Sequence, residues 1–134
     1  MLRALVVDDE KLARDRLRGF LRAIEGVEVI GEATNGPEAV AMIESRRPDL
    51  VFLDVQMPGM DGFGVLRQLT HRPAVVFATA YDHYAVKAFE VEAADYLLKP
   101  ISRDRLRAAV QRIRERQEAP PAGAADLQEM VRAV

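Results

Sequence analysis

The stretch LVFLDVQMPGMDG, residues 50–62, decides the fold of this chain. Four apolar residues are followed by Asp54 and then by a turn that contains proline and glycine. An apolar run of this length, bounded by turn residues, is typical of a strand that is buried on both faces of a sheet. A carboxylate at the end of such a strand costs free energy unless another group uses it. We therefore expect Asp54 to belong to a functional site.

Three other apolar runs end in polar residues in the same way. They are followed by the pair Asp8 and Asp9, by Thr79 and by Lys99. If the strands lie parallel in one sheet, their carboxyl ends meet at the edge where ligands bind in open α/β sheets. Three acids, a hydroxyl and an ammonium group would then share one pocket. This set of groups suits the chemistry of an aspartyl phosphate.

Strand patterns and helix patterns alternate five times along the chain. The predicted strands cover residues 2–7, 27–33, 49–54, 74–78 and 94–98. The predicted helices carry apolar residues at helical spacing, and they include Ala13 to Ile24, Ala39 to Ile43, Phe63 to Leu69, His83 to Glu90, and Ser102 to Ile113. This alternation predicts right-handed βαβ units and a doubly wound parallel sheet with helices on both faces.

Composition and charge exclude several classes of protein. The 134 residues are 49% hydrophobic, which suits one domain with a sizeable core. The net charge of −2 gives no reason to expect nucleic-acid or membrane binding by this domain. Cysteine is absent, so neither a disulfide framework nor a thiolate metal site exists. The apolar runs are far shorter than the roughly 18 residues that indicate a membrane span, and we expect a cytoplasmic protein.

The motif set resembles the receiver domain of bacterial response regulators. The resemblance rests on VVDDE at 6–10, on the stretch 54–62, on Thr79 with Ala80, and on YLLKPI at 96–101. It covers about residues 2–117. It implies a flavodoxin-like fold with five helices and a five-stranded parallel sheet in the order 2-1-3-4-5, the strand order of receiver proteins.

A longer stretch resembles one group of receivers in particular. The sequence FATAYDHYAVKAFE at 77–90, continuing to DYLLKP at 95–100, is similar to receivers fused to LytTR-type DNA-binding domains. The resemblance implies transcription regulation through an output domain beyond Val134. We predict the receiver over 1–117, and over 118–134 a linker with the start of an output domain or a tail. The linker prediction rests on Pro120, Pro121 and Gly123.

The final residues carry a short helical pattern. After Asp126, a potential N-cap, the apolar residues at helical spacing are Leu127, Met130, Val131 and Val134. Nine residues are too few to hold a helix without a partner.

The resemblance implies phosphorylation of Asp54 and a bound Mg²⁺ or Mn²⁺ ion. Asp9 and Asp54 would ligate the ion directly, the Gln56 backbone carbonyl would add a third protein ligand, and Asp8 would act through water. Independently of the resemblance, close carboxylates repel each other by about 4 kcal/mol per pair at an effective dielectric near 20. A hard divalent cation relieves that repulsion and prefers oxygen ligands.

The remaining site residues take their roles from the same resemblance. Lys99, Thr79 and Ala80 would bind the phosphoryl group, and a cis bond between Lys99 and Pro100 would aim the lysine into the pocket. Thr79 and Tyr96 would form the switch, which reshapes the face made by helix four, strand five and helix five.

Two partners are expected. By resemblance, a sensor histidine kinase would supply the phosphoryl group. The helix-four region, with Tyr84, Val86, Phe89 and Val91, has more apolar character than one buried face needs, which favours a phosphorylation-dependent homodimer through helix four and strand five. The predicted dimer face comprises Tyr84, Lys87, Phe89 and Val91. The domain would not be an enzyme beyond its own phosphorylation and slow dephosphorylation.

Other interpretations of the same residues stay open. Asp8 or Asp9 alone fits a cap of helix one, and Lys99 before Pro100 fits a surface strand end. A metal-dependent phosphatase with an aspartyl intermediate would need Asp-x-Asp after the first strand, and a flavin carrier would need a phosphate-binding loop there. A stand-alone receiver that is never phosphorylated and serves as a protein-interaction module is the main alternative.

Overall fold

The computed structural model describes residues 1–118, which form ten alternating elements. The strands are β1 Leu2–Val7, β2 Val27–Ala33, β3 Leu50–Leu53, β4 Ala74–Thr79 and β5 Asp95–Leu98. The helices are α1 Lys11–Arg22, α2 Gly36–Arg46, α3 Gly62–Gln68, α4 Ala85–Glu90 and α5 Arg103–Glu118. The five strands form one parallel sheet in the order β2-β1-β3-β4-β5. The predicted fold class and strand order are confirmed.

Alternate residues of the central strand β3 face two separate apolar cores. Leu50 and Phe52 belong to the core that α1 and α5 cover, whereas Val51 and Leu53 belong to the core under α2, α3 and α4. All four side chains are fully buried. Successive side chains of a strand point to opposite faces, so the unbroken apolar run follows from helices that cover both faces of the sheet.

Two strand boundaries place the polar residues of the carboxyl edge. Strand β3 ends at Leu53 and not at Asp54, so Asp54 is the first residue beyond the strand. Strand β4 extends one residue further than predicted and includes Thr79, which pairs with Leu98 of β5. Asp54 therefore lies just beyond the carboxyl end of β3, whereas Thr79 is the last residue of β4.

Helix α4 is shorter than the sequence pattern predicted. The helix begins at Ala85 and not at His83, because Tyr84 has φ −95° and ψ 0° and residues 82–85 form a turn.

Two predicted helix residues also lie just beyond their helices. Ile24 follows α1 in a tight turn yet stays buried, and Leu69 is extended after α3. An apolar side chain can complete a core from outside the helix, which periodicity alone does not reveal.

The final segment and the domain division stay predictions. The proposed linker and the pattern after Asp126 lie outside the described residues. Within residues 1–118, none of the helices combines the length and the apolar character needed to cross a membrane.

An acidic residue ties β5 to α5. The Asp95 side chain is only 8% exposed, and its carboxylate accepts two hydrogen bonds from Arg105, at 2.7 and 3.0 Å, and another from Arg112. The backbone N–H of Tyr96 adds a bond at 2.8 Å. Burial opposes ionisation of Asp95, but the Arg105 hydrogen bond, the Tyr96 N–H and the two guanidinium charges outweigh it and hold the pKa below its usual range.

Substitution of Asp95 by Asn is expected to destabilise the domain in a pH-dependent way. Because the pKa of Asp95 is lower in the folded state than in the unfolded chain, its stabilisation is complete above the unfolded pKa, near 4, and is lost as the pH falls through the folded pKa. Both arginines are partly exposed, so we expect a loss of about 1 to 2 kcal/mol at pH 7. Urea unfolding of parent and Asp95→Asn at pH 7 and pH 3 measures it. A difference that does not shrink at pH 3 would contradict this account.

Candidate functional site

The polar residues predicted to meet do lie at one edge of the sheet. Asp8 and Asp9 follow β1, Asp54 follows β3, Thr79 ends β4 and Lys99 follows β5. Strand order reverses beside β1, where β2 lies on one side and β3 on the other. A crevice opens outside the carboxyl ends of the strands at such a point, and ligands bind there.

The Lys99 ammonium joins two of the acids. Its Nζ lies 2.7 Å from Asp8 Oδ2 and 3.1 Å from Asp54 Oδ2. The Lys99–Pro100 peptide bond is cis, as the resemblance implied. A cation at hydrogen-bond distance from two buried carboxylates compensates charges that would otherwise be costly to bury.

Burial and charge shift the pKa values of this pair. Burial raises the pKa of Asp54 and the nearby Asp8 charge adds to the effect, whereas Lys99 offsets only part of it. Burial also favours the neutral form of Lys99, but its hydrogen bond to Asp8 and the charges of Asp54 and Asp8 outweigh this and raise the pKa of Lys99. The ammonium is therefore held in its charged form.

The three aspartates form a cluster that fits a divalent cation. One carboxylate oxygen from each of Asp8, Asp9 and Asp54 lies within 4.8 Å of the others. Asp8 and Asp54 are buried and Asp9 is exposed, so the cluster opens towards solvent. Carboxylate oxygens at this separation are the donor set that Mg²⁺ or Mn²⁺ prefers. Gln56 lies beside them, and its backbone N–H donates to Asp54 Oδ1 at 3.2 Å.

Local hydrogen bonds fix Asp8, and one of them involves a residue that the sequence did not single out as part of the site. The Glu10 N–H donates to Asp8 Oδ1 at 2.9 Å, and Arg14 donates to the Asp8 backbone carbonyl at 2.7 Å. Arg14 is itself paired with Glu32 of β2 at 3.2 Å. The N-cap of α1 is Glu10, without a side-chain cap bond. The alternative in which Asp8 or Asp9 caps this helix is therefore wrong.

The loop after Asp54 packs closely against that residue. Asp61 caps α3 by accepting the Gly64 N–H at 2.8 Å, and the Gly62 N–H donates to the Val55 carbonyl at 2.8 Å. A Cβ atom on Gly62 would lie 2.6 Å from the Asp54 carbonyl oxygen. Position 62 requires glycine because the backbones of residues 54 and 62 approach each other so closely. The sequence of the MPGMDG motif does not by itself reveal this contact.

The two predicted switch residues, Thr79 and Tyr96, both form hydrogen bonds with the backbone of Tyr81. Thr79 is fully buried, and its Oγ1 accepts the Tyr81 N–H at 3.4 Å. The Tyr96 hydroxyl donates to the Tyr81 carbonyl, and burial raises the pKa of Tyr96. Ala80 lies between Thr79 and Tyr81 in the chain. It is exposed and lines the cleft with Asp54 and Lys99. Their roles in switching stay predictions.

The residues of the predicted dimer face differ in exposure. Phe89 is 84% exposed. Lys87 is also exposed, with its Nζ 4.5 Å from the centre of the Phe63 ring. Tyr84 and Val91 are instead half-buried against the core under α4. Tyr84 also accepts a hydrogen bond from the Gln56 side chain at 2.8 Å, a contact that the sequence did not indicate.

The sheet topology and the pocket of three acids and a lysine define the class of α/β receiver domains. A sequence profile described as the response regulator receiver domain matches residues 4–111. The chain belongs to this family, and the resemblance predicted from its motifs is confirmed. Receivers of this family are in general signalling modules and not enzymes.

Two curated relatives show the group of receivers that the chain resembles. The transcriptional regulatory protein BtsR of Escherichia coli strain K12 is 47% identical over 117 residues, which cover 86% of this chain and 49% of BtsR. The sensory transduction protein LytT of Bacillus cereus is 50% identical over 109 residues, which cover 79% of this chain and 44% of LytT. The chain spans about half the length of the curated relatives it matches.

Solved structures of receiver domains share the fold. The response regulatory domain of protein mrkE from Klebsiella pneumoniae is 32% identical with a TM-score of 0.80, covering 87% of this chain and 98% of that domain. The receiver domain of AraT from Geobacillus stearothermophilus is 33% identical with a TM-score of 0.76, covering 87% of this chain and 95% of that chain.

Two glycine substitutions are expected to have opposite effects on stability. Gly62→Ala places a Cβ atom against the rigid Asp54 carbonyl, and we expect a loss of about 1 to 3 kcal/mol. Gly19→Ala serves as the matched control, because Gly19 is exposed within α1 and nothing lies within 4 Å of its Cβ position. That change should stabilise the domain by about 0.5 to 1 kcal/mol. Urea unfolding measures both, and a Gly62→Ala variant as stable as the parent would contradict this explanation of the glycine.

Proposed function

We propose that this receiver accepts a phosphoryl group on Asp54 from a sensor histidine kinase and so controls an output domain. The observation that carries the proposal is the position of Lys99 Nζ, which lies within 3.1 Å of both Asp8 and Asp54 at the edge where the acids cluster. A simple surface strand end would not place a half-buried ammonium between two buried carboxylates.

Asp54 is the nucleophile in this proposal. One of its carboxylate oxygens forms a bond to phosphorus, and the bond from phosphorus to the donor nitrogen of a phosphohistidine breaks. Phosphoryl transfer depends mainly on positioning and on neutralisation of charge. Lys99 supplies one positive charge that already contacts Asp54, and its ammonium can follow the developing charge onto the phosphoryl oxygens.

Asp9, Asp54 and the Gln56 backbone carbonyl would hold Mg²⁺ or Mn²⁺, with Asp8 acting through water. The bound ion supplies positive charge for the phosphoryl oxygens. The carboxylate cluster supports this assignment, since its oxygens lie within 4.8 Å of one another. Asp9 is the exposed member and would take up the ion from solvent.

In this proposal, Thr79, Ala80 and Tyr96 transmit the effect of phosphorylation from Asp54 to the surface of the domain. The Thr79 hydroxyl and the Ala80 backbone bind the new phosphoryl oxygens, and Thr79 leaves its bond to Tyr81. Tyr96 then turns inward and reshapes the face of α4, β5 and α5. A complete reversal of a two-state equilibrium from 1:99 to 99:1 needs about 5.5 kcal/mol, and charge-assisted bonds to a phosphoryl group are of a kind that supplies much of it.

The controlled activity is transcription through a LytTR-type DNA-binding domain. Two features support this proposal: relatives named as transcriptional regulatory proteins and the similarity to LytT. In this proposal the receiver covers 1–117, and residues 118–134 are a linker with the start of an output domain or a tail. In the rival proposal, the chain is a protein-interaction module that is never phosphorylated.

Acetyl phosphate with Mg²⁺ is expected to add one phosphoryl group to the parent protein. Intact mass and Phos-tag electrophoresis would detect the adduct, and Asp54→Asn should abolish it because the amide is not a nucleophile for this reaction. Omission of divalent cation should also abolish it. Asp61→Asn is the matched control, since Asp61 caps α3 and is not a member of the acidic cluster; this variant should still form the adduct.

Two results would reject phosphorylation of Asp54. The first is a parent protein that forms no adduct although it is folded, which would favour the interaction module. The second is an adduct that survives Asp54→Asn, which would place the phosphoryl group elsewhere.

Phosphorylation-dependent dimerisation is expected to require Phe89. This side chain is 84% exposed on α4, and a charge there should prevent burial in a dimer without disturbing the fold. Leu12→Asp is the matched control, because Leu12 is 82% exposed on α1 and away from the proposed face. Light scattering after acetyl phosphate treatment should show monomeric Phe89→Asp and dimeric Leu12→Asp. A phosphorylated Phe89→Asp variant that dimerises as the parent does would contradict the assignment of this face.

A further inference from the structure

One arginine spans the bend between β1 and α1, where two of the three clustered aspartates lie. Arg14 is the fourth residue of α1, and its Nη1 reaches back to donate to the Asp8 backbone carbonyl at 2.7 Å. Its Nε donates to the Glu32 carboxylate of β2 at 3.2 Å. The Arg14 side chain is only 13% exposed. A planar guanidinium with two fixed acceptors forms a rigid connection between β2 and this bend.

The acceptor of the first bond belongs to the peptide group that joins Asp8 to Asp9. Other hydrogen bonds hold the Asp8 side of this peptide, since the Asp8 N–H donates to the Ala33 carbonyl at 3.1 Å and the Asp8 carboxylate accepts from Lys99 at 2.7 Å. Asp9, in contrast, is exposed, so packing does not fix its side chain. A peptide group is planar, and the Arg14 bond to its oxygen therefore orients the chain at Asp9.

The position of Arg14 is unfavourable for its charge. A cation near the N-terminus of a helix opposes the helix dipole, and a fixed positive charge beside the acidic cluster weakens the attraction of that cluster for a divalent cation. Arg18, one turn further along α1, pairs with the same Glu32 at 2.9 Å. Within residues 1–118, however, the bond to the Asp8 carbonyl comes from Arg14 and not from Arg18. The connection between α1 and β2 does not depend on Arg14 alone, whereas the bond to the Asp8 carbonyl does.

We propose that Arg14 is a positioning residue that directs the Asp9 carboxylate towards the divalent cation by fixing the peptide between Asp8 and Asp9. The proposal rests on the function proposed above, in which Asp9 and Asp54 hold Mg²⁺ for phosphoryl transfer. It extends that function to a residue outside the acidic cluster. Glu32 supports the arrangement from β2, because it holds the guanidinium in place.

Loss of charge and loss of position change the affinity for Mg²⁺ in opposite directions, which allows a direct test. Arg14→Met keeps an unbranched side chain but removes the charge and both hydrogen bonds. Arg18→Met is the matched control, because it removes the same charge and a bond to the same Glu32 one turn along α1. Each unphosphorylated protein is titrated with Mg²⁺, and backbone amide shifts in NMR spectra give the dissociation constant without any reaction. Urea unfolding verifies that each variant is folded.

Arg14→Met is expected to weaken Mg²⁺ binding about 2- to 12-fold, the range that corresponds to the loss of one hydrogen bond. Arg18→Met should leave the affinity unchanged or raise it slightly, since the main effect is the loss of a positive charge. An affinity of Arg14→Met that equals or exceeds that of the parent would overturn the proposal. An equal loss in Arg18→Met would also overturn it, because the pairing with Glu32 and not the bond to the Asp8 carbonyl would then be responsible.

Arg14→Lys takes the place of Arg14→Met if the latter does not fold. Lysine keeps the charge and an aliphatic stem, but it lacks the planar fork that lets Nη1 and Nε reach Asp8 and Glu32 together. Weaker Mg²⁺ binding at unchanged charge is expected. An unchanged affinity of this variant would count against the positioning role as decisively as that of Arg14→Met.

Adduct formation with acetyl phosphate separates this proposal from the function on which it rests. Arg14→Met should raise the Mg²⁺ concentration for half-maximal rate by the same factor as the dissociation constant, with a smaller effect on the rate at saturating Mg²⁺. A lower saturating rate with an unchanged half-maximal concentration would overturn the positioning role. A folded parent that binds Mg²⁺ but forms no adduct would reject the proposed function, while the titration would still decide the role of Arg14. A parent that binds no Mg²⁺ would reject the cation assignment and this proposal together.

Discussion

The pairing of Lys99 with two buried carboxylates is the interaction on which the site depends. Asp8 and Asp54 are 5% and 6% exposed, and a buried acid without a partner is costly. The sheet brings them together because β1 and β3 are neighbours, and β5, two strands away from β3, delivers the compensating cation. The fold thus brings repelling carboxylates together and places a compensating ammonium at the same edge. A divalent cation would neutralise the negative charge that one lysine leaves uncompensated.

Much of this arrangement was predictable because parallel strands follow simple rules. Unbroken apolar runs such as Leu50 to Leu53 indicate burial on both faces, and polar residues that follow such runs must share one edge. The placement of Asp8, Asp9, Asp54 and Lys99 at a common edge needed no further information. Strand order was less accessible, since alternation alone allows several doubly wound topologies, and it came from the family resemblance.

The remaining features depend on contacts that leave little trace in the sequence. Arg14 reaches the Asp8 carbonyl from α1, and the Gln56–Tyr84 bond spans two loops whose relative position only the folded chain defines. Helix α4 lost its first two predicted residues to a turn, because apolar periodicity does not distinguish helix from turn over one or two residues. Several of these contacts lie in loops, where side-chain hydrogen bonds and not regular backbone hydrogen bonds determine the course of the chain.

The loop after β4 and the strands beneath it are held by different kinds of hydrogen bond. Thr79 and Tyr96 hold the N–H and the carbonyl of one residue in the loop after β4, while the strand pair beneath continues through the bond from the Lys99 N–H to the Thr79 carbonyl at 2.8 Å. In the switch we propose, the loop would exchange its side-chain hydrogen bonds while the backbone hydrogen bond between β4 and β5 beneath it stays in place. The backbone pairing of these two strands would then be a fixed support, against which the loop and the outer face of α4, β5 and α5 rearrange.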